Sequence, residues 1–182
     1  MAKLILAIDV GTTSTRAGVV RADGRITGLA AAPLKSTMPR PHCVEQDAEA
    51  VWRTTRRVMA EALEKAGRAP SDIAAIGVTT QRSSAVAWDR ASGRPLSPLV
   101  IWSDLRGVAN AARLQHAGYP VAPQQSATKL DMMLAEIDAP RERIAWGNID
   151  SFVIWKLTGG RAHVTDRSQA WPSGYLALPE LT

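Results

Sequence analysis

The chain has 182 residues, 46% of them apolar and 21% charged, with a formal net charge of +5 and one cysteine. That length suffices for one domain with a real core, no apolar run approaches the ~20 residues of a membrane span, and Cys43 alone cannot make an intrachain disulfide framework and suits a reducing compartment. The positive charge is scattered arginine (Arg53, Arg56, Arg57, Arg141, Arg143) with acids between, not the basic block interleaved with aromatics of a nucleic-acid groove, so the reading is a cytoplasmic protein that binds neither nucleic acid nor membrane and carries no signal peptide.

Leu4 to Ile8 is a continuous apolar run, the pattern of a buried central strand. Ser14 to Val20 reads as its partner, and Asp23-Gly24 turns the chain into a third strand, Ile26 to Ala32. Three prolines make Pro33 to His42 a loop. Asp47 is placed to cap a helix to about Ala66, with Val51, Thr55, Val58, Met59, Ala62 and Leu63 on one face and Gly67 as the stop. Ile73 to Thr79 is the next strand. Ala85 to Trp88 and Leu99 to Trp102 bracket a hairpin-like loop. Asp104 is placed to cap a helix ending near Gly118, Thr128 to Ile137 reads as helical, and Asp150 is placed to cap a buried helix, Ser151 to Leu157, that stops at Gly159-Gly160.

The chemistry concentrates at Asp9 to Arg16. Gly11 permits a tight turn and close ligand approach, successive backbone N–H groups there can face an anion, and Thr12, Thr13 and Ser14 add hydroxyls. Asp9 would repel a bare phosphate but suits a hydrated Mg²⁺ held through water, and Arg16 offers charge-assisted bonds to phosphoryl oxygens. The same residues also read as a plain hairpin, with Asp9 capping its own turn and Arg16 solvated. Neither G-x-G-x-x-G nor G-x-x-x-x-G-K-[ST] occurs, so the doubly wound dinucleotide fold and the P-loop are not indicated.

Six segments in register resemble the FGGY carbohydrate kinases, and within them the glycerol kinases: IDVGTTSTR from Ile8, VEQDAEAVW from Val44, AAIGVTTQR from Ala74, VAWDRASGRPL from Val86, VIWSDLR from Val100 and IDSFVIWKLTGGRAHVTD from Ile149. The resemblance implies an α/β, actin-like and ribonuclease-H-like lobe. Its mixed sheet would open with a three-stranded antiparallel meander. It also implies ATP and Mg²⁺ as cofactors and a small polyol or sugar as substrate. Asp9, Gly11, Thr12, Thr13, Ser14 and Arg16 fall on the phosphate and magnesium motif. Arg82 matches an arginine that bonds substrate hydroxyls, Trp102 a tryptophan on the carbon side of the polyol, and Asp104 belongs to the same W-x-D segment. Ser83 stands where glycerol kinases have Glu, and Gln124 is the nearest match to a substrate-contacting tyrosine. A hydroxyl-pairing site discriminates strongly when its polar partners change, so the expected acceptor is a different or broader polyol, sugar or sugar acid.

Family members are more than twice as long, and their second lobe carries the adenosine pocket and the general-base aspartate. The expectation is therefore that residues 1–182 are a partial N-terminal kinase domain, cut at LALPELT, without a catalytic base and inactive alone. The alternative is a non-catalytic remnant that binds a sugar or a partner. Self-association is expected from the surface such a cut would expose. A related ATPase of the dehydratase-activator type would need several cysteine ligands for its iron–sulfur cluster, which one Cys cannot supply. Trp88 and Trp155 read as core, Trp102 as either core or site, Cys43 as an inert thiol, and Asp166 as a cap on the turn after it. His42, His116 and His163 lack metal-ligand spacing.

Overall fold

The fold was obtained as a computed structural model that describes residues 4–175; Met1–Lys3 and the closing LALPELT lie outside the described residues. The chain divides into two compact units, Met1–Lys35 with Glu49–Thr80 and Ser36–Ala48 with Gln81–Thr182.

In the first unit, β1 (Leu4–Val10), β2 (Ser14–Val20) and β3 (Ile26–Pro33) form the expected antiparallel meander. After β4 (Glu45–Gln46), which belongs to the second unit, helix α1 (Ala48–Lys65) leads to β5 (Ile73–Thr80), which lies parallel to β1. The sheet order is β3-β2-β1-β5. Strand alternation sends Leu4, Leu6, Ile8 and Val10 of β1, with Ala17 and Val19 of β2, to a buried face. Helix α1 buries Val51, Thr55, Val58 and Ala62, one stripe at helical spacing. The Thr55 hydroxyl donates to Val51 O at 2.8 Å and lies 3.4 Å from the Thr15 hydroxyl, so these buried hydroxyls are satisfied. Gly28 admits the helix to β3: a Cβ there would lie 2.2 Å from the Ala62 carbonyl oxygen. The apolar run of β1 suggests a strand covered on both sides, but Ile5 on its other face is 45% exposed.

In the second unit, β4, β6 (Ala85–Asp89), β7 (Leu99–Val100) and β8 (Ile144–Asn148) form an antiparallel sheet of order β4-β7-β6-β8. Helices α2 (Val108–His116), α3 (Leu130–Ala135), α4 (Ile149–Leu157) and α5 (Arg167–Ala170) complete it. Every residue of β6 is buried. Trp88 is fully buried, its ring 5.4 Å from Phe152, 6.3 Å from Trp155 and 5.0 Å from His163, and Trp155 is buried as well, so both tryptophans are core as expected. The loop after β6 is tied by Asp89, which accepts from the Ser92 amide and hydroxyl, both at 2.8 Å, and from Arg143 Nη2 at 2.6 Å. Those bonds, Ser92's first, hold its pKa down at about 2.

Several local expectations change. Asp104 does not cap α2, which starts after Gly107, because its carboxylate points inward. Asn148 rather than Asp150 precedes α4; Asp150 lies inside the first turn and accepts from the Thr165 hydroxyl at 2.6 Å. Helix α3 is shorter than the expected span, and β8, short and containing Gly147, carries too weak a pattern to be read beforehand. Asp166 does cap α5, accepting from the Gln169 amide at 3.0 Å.

Candidate functional site

In the first unit, the β1–β2 register sets Asp9 opposite Arg16. Arg16 Nη1 donates to Asp9 Oδ2 at 3.1 Å, with both side chains about half exposed. The turn is closed by the Gly11 amide donating to Ser14 O at 3.0 Å, and a Cβ on Gly11 would sit 3.0 Å from that oxygen. The end of β3 braces the loop, with Leu34 N–H donating to Thr13 O at 2.9 Å. Gly11 thus supplies turn geometry while its own amide is engaged within the loop. Thr13 is exposed, and Thr12 and Ser14 are half-buried. Arg16 already offsets the charge of Asp9, so an anion can approach this hairpin with a cation at its base. The arrangement suits a polyphosphate, with Asp9 the carboxylate available to a hydrated metal ion.

In the second unit, the strand register gathers four segments at one end of the sheet. Glu45, Val100, Ala85 and Asn148 pair across it in a single row. Residues 81–84 precede that row on β6, residues 101–106 follow it on β7, and α4 starts directly after Asn148. Ser84 O accepts from Ile149 N–H at 2.9 Å, which joins two of these segments.

A buried chain of hydrogen bonds fixes this corner. Trp102 N–H donates to Ser84 Oγ (3.0 Å), Ser84 Oγ to Gln81 Oε1 (3.0 Å), Gln81 Nε2 to Gln46 Oε1 (3.0 Å), and Gln46 Nε2 to Ser36 Oγ (3.1 Å). Held on this frame, Arg82 is exposed and the Trp102 side of the corner is open, that residue being 46% exposed. Among the described residues the Arg82 guanidinium makes no ion pair or hydrogen bond. Ser83, buried, adopts a left-handed backbone (φ 57°) and donates its hydroxyl to Pro172 O at 2.7 Å. Gln124 is exposed on the turn whose next residue, Gln125, packs against Gly174, two residues beyond Pro172.

Asp104 lies beneath this surface, fully buried. Its oxygens accept from Val44 N (2.7 Å), Arg106 N (3.0 Å), Arg106 Nε (2.9 Å) and Arg106 Nη2 (2.9 Å), and Arg106 also pairs with Glu45. Burial works to lower the pKa of Arg106, but its bonds to Asp104 and Glu45 outweigh that and hold it above its ordinary value. Beside them Lys129 is fully buried, with Nζ donating to Ile101 O at 2.9 Å. Burial pushes Lys129 down to about 8, against the pull of Asp104. Asp104 therefore acts as an anchor for the loop that presents Trp102.

Sequence reasoning singled out Arg82, Ser83 and Trp102, which the structure places on one corner, and missed the frame beneath them. Gln46, Gln81 and Arg106 stand inside recognised segments, but nothing marks Ser84 or Lys129; a lone lysine reads as a surface residue. The unit also holds a cavity of about 320 Å³ lined by Trp146, Asn148, Ser151, His163, Ser173 and Tyr175. Near it, burial pushes the Asp150 carboxyl above the usual range, and among the described residues its Oδ1 has no hydrogen-bond partner. No group of three or more His, Cys, Asp or Glu capable of holding a metal occurs among the described residues, and none of their helices is long and apolar enough to cross a membrane.

An antiparallel meander, a crossing helix and a parallel fourth strand define an α/β lobe of the actin-like, ribonuclease-H-like kind. The chain belongs to the FGGY family of carbohydrate kinases, whose N-terminal domain matches residues 4–182. It is 40% identical over 181 residues to a glycerol kinase of Trichlorobacter lovleyi, covering 91% of this chain and 36% of that protein. It is 42% identical over 185 residues to a glycerol kinase of Xanthobacter autotrophicus, covering 93% of this chain and 37% of that protein. The crystal structure of Plasmodium falciparum glycerol kinase with ADP matches its fold with a TM-score of 0.84 at 21% identity, over 100% of this chain and 39% of that one. The chain thus spans well under half the length of the relatives it matches.

Proposed function

We propose that this chain is part of the N-terminal domain of an ATP-dependent kinase that phosphorylates a hydroxyl of a small polyol, sugar or sugar acid other than glycerol. The observation that carries the reading is the corner of the second unit. There the exposed Arg82 and the half-exposed Trp102 are tied through Ser84 to one buried polar frame, and a guanidinium with an indole can recognise hydroxyls on one side of a carbon chain and C–H groups on the other.

The Gly11–Ser14 hairpin, with Asp9 and Arg16 at its base, takes the phosphate tail of ATP; Mg²⁺, held through water at Asp9, would supply charge neutralisation there. Arg82, Ser83, Trp102 and Gln124 take the acceptor. Asp104 serves that site by fixing the Trp102 loop. Replacing a carboxylate by Ser83 weakens the grip on glycerol's hydroxyls. No residue of this chain is assigned as general base. Such a base contributes ~10²–10⁴ in rate, and in-line positioning contributes ~7–11 kcal/mol in favourable cases. The 182-residue chain by itself is therefore expected to bind without turnover.

The test is an amide NMR titration of the chain with Mg²⁺–ATP, beside a coupled assay over a polyol and sugar panel. The expected result is shifts at Gly11–Arg16 and no product. Shifts confined to other residues would defeat the phosphate assignment, and turnover at ordinary kinase rates would defeat the expectation of inactivity.

A further inference from the structure

The acceptor corner has an unusual charge balance. Among the described residues, three cations, Arg82, Arg106 and Lys129, stand against two carboxylates, Asp104 and Glu45. Both carboxylates are engaged by Arg106, and Asp104 is completely enclosed. Arg82 is left exposed with no acid on it among the described residues. The neighbour that could have carried a balancing charge is Ser83, a neutral residue. Its hydroxyl proton is already given to Pro172 O, so toward a ligand its oxygen can only accept. The left-handed backbone at Ser83 and the hydrogen bond from its side chain hold that neutral group in place.

From this geometry we infer that the acceptor is a polyhydroxy acid whose carboxylate is bound by Arg82, and not a neutral polyol; the inference rests on the acceptor-site reading above. A carboxylate completes the planar fork of an exposed arginine with two parallel charge-assisted bonds. A neutral polyol leaves that cation with only hydroxyl dipoles. Ser83 then accepts a hydroxyl of the carbon chain next to the acid group, and Trp102 covers the C–H side. An acid in place of Ser83 would compete with such a substrate for Arg82 and repel it.

Matched probes isolate the charge. Gluconate and sorbitol differ in carrying a carboxylate or a hydroxymethyl at one end of the same six-carbon chain, and glycerate and glycerol differ likewise at three carbons. Isotope-labelled chain is titrated with each, and the Trp102 indole N–H and the Ser83 and Ser84 amides are followed, with Trp102→Phe assigning the indole signal. The acid of at least one pair should bind about tenfold or more tighter than its neutral partner, as one charge-assisted bond implies. Arg82→Gln, a change at an exposed position, should erase the difference, and Ser83→Glu should shift preference to the neutral partner.

Equal binding of acid and neutral partner with shifts at Trp102 would overturn the charge inference while leaving the acceptor site standing. Shifts elsewhere, or none with any probe, would overturn both. A preference for the acid that survives Arg82→Gln would overturn the assignment to Arg82. Acetate producing the same shifts at the same concentration would reduce the corner to a general carboxylate site and overturn the polyhydroxy-acid proposal.

Discussion

Strands β5 and β6 are both short apolar runs, yet their surroundings are opposite. β5 closes one side of the first unit's sheet and leaves Ala74, Ala75, Ile76 and Gly77 exposed, Ile76 at 46%. β6 sits between β7 and β8 with all five residues buried, its Trp88 packed with Phe152 and Trp155 and its Ala85 with Val100 and Met133. Around β5 the bare surface continues. On the sheet face away from Leu6 and Ile8, the register aligns Leu29, Gly18, Ala7 and Gly77 in one row, beside a row of Ile26, Val20, Ile5 and Ala75. Ile5, Ile26 and Leu29 of these rows are all exposed. Exposed apolar surface and an uncharged, proline-free edge strand favour pairing with other chains. The two strands show that an apolar run marks a residue's capacity for burial and leaves open whether anything covers it.

The sharpest way to break this comparison is to place the same charge in both strands. Val86→Lys in β6 would bury an ammonium with no partner, at a cost of several kcal/mol, and should abolish cooperative unfolding of the second unit in a near-ultraviolet circular dichroism melt. A well-folded Val86→Lys variant would mean that β6 is far less enclosed than its zero exposure indicates. A smaller effect is expected in the first unit from Gly28→Ala, since the added methyl meets the Ala62 carbonyl in the last helical turn and Ala66 just after the helix. The loss should be about 1–3 kcal/mol, seen as faster hydrogen exchange in β3 and the end of α1; unchanged exchange there would show that helix and strand separate freely. Smallest of all is Ala75→Lys in β5, where stability should move by no more than about 0.5 kcal/mol. Its effect should appear in light scattering, as less self-association at high protein concentration. A wild-type chain that stays monomeric at all concentrations would remove the consequence drawn from the open edge.

Much of the first unit was legible. The meander, the start of α1 directly after Asp47, the α1 stripe and β5 all follow from period, turn residues and helix stops, which act over a few neighbouring residues. The second unit was read less well. Asp104 and Asp150 both look like helix caps, because a lone Asp before an apolar stretch usually is one. Here each carboxylate is drawn to a partner distant in sequence, Val44 for Asp104 and Thr165 for Asp150. At the candidate site, Arg82 and Trp102 were singled out by family resemblance, whereas Lys129, Ser84 and the bonding of Gln46 and Gln81 into a frame were not. Their role lies in contacts made across 18 to 35 positions of chain.

The linear order of residues was enough to establish the kinase family, the opening hairpin with its glycine turn, and the neutral serine beside Arg82, because each is a local property of the chain or a likeness of whole segments. Three-dimensional packing alone decided that Asp104 is a buried anchor, that a buried lysine holds the carbonyl of Ile101 next to Trp102, and that β5 is bare while β6 is enclosed. Burial and charge pairing depend on what distant segments bring to a point in space, and no short stretch of sequence carries that information.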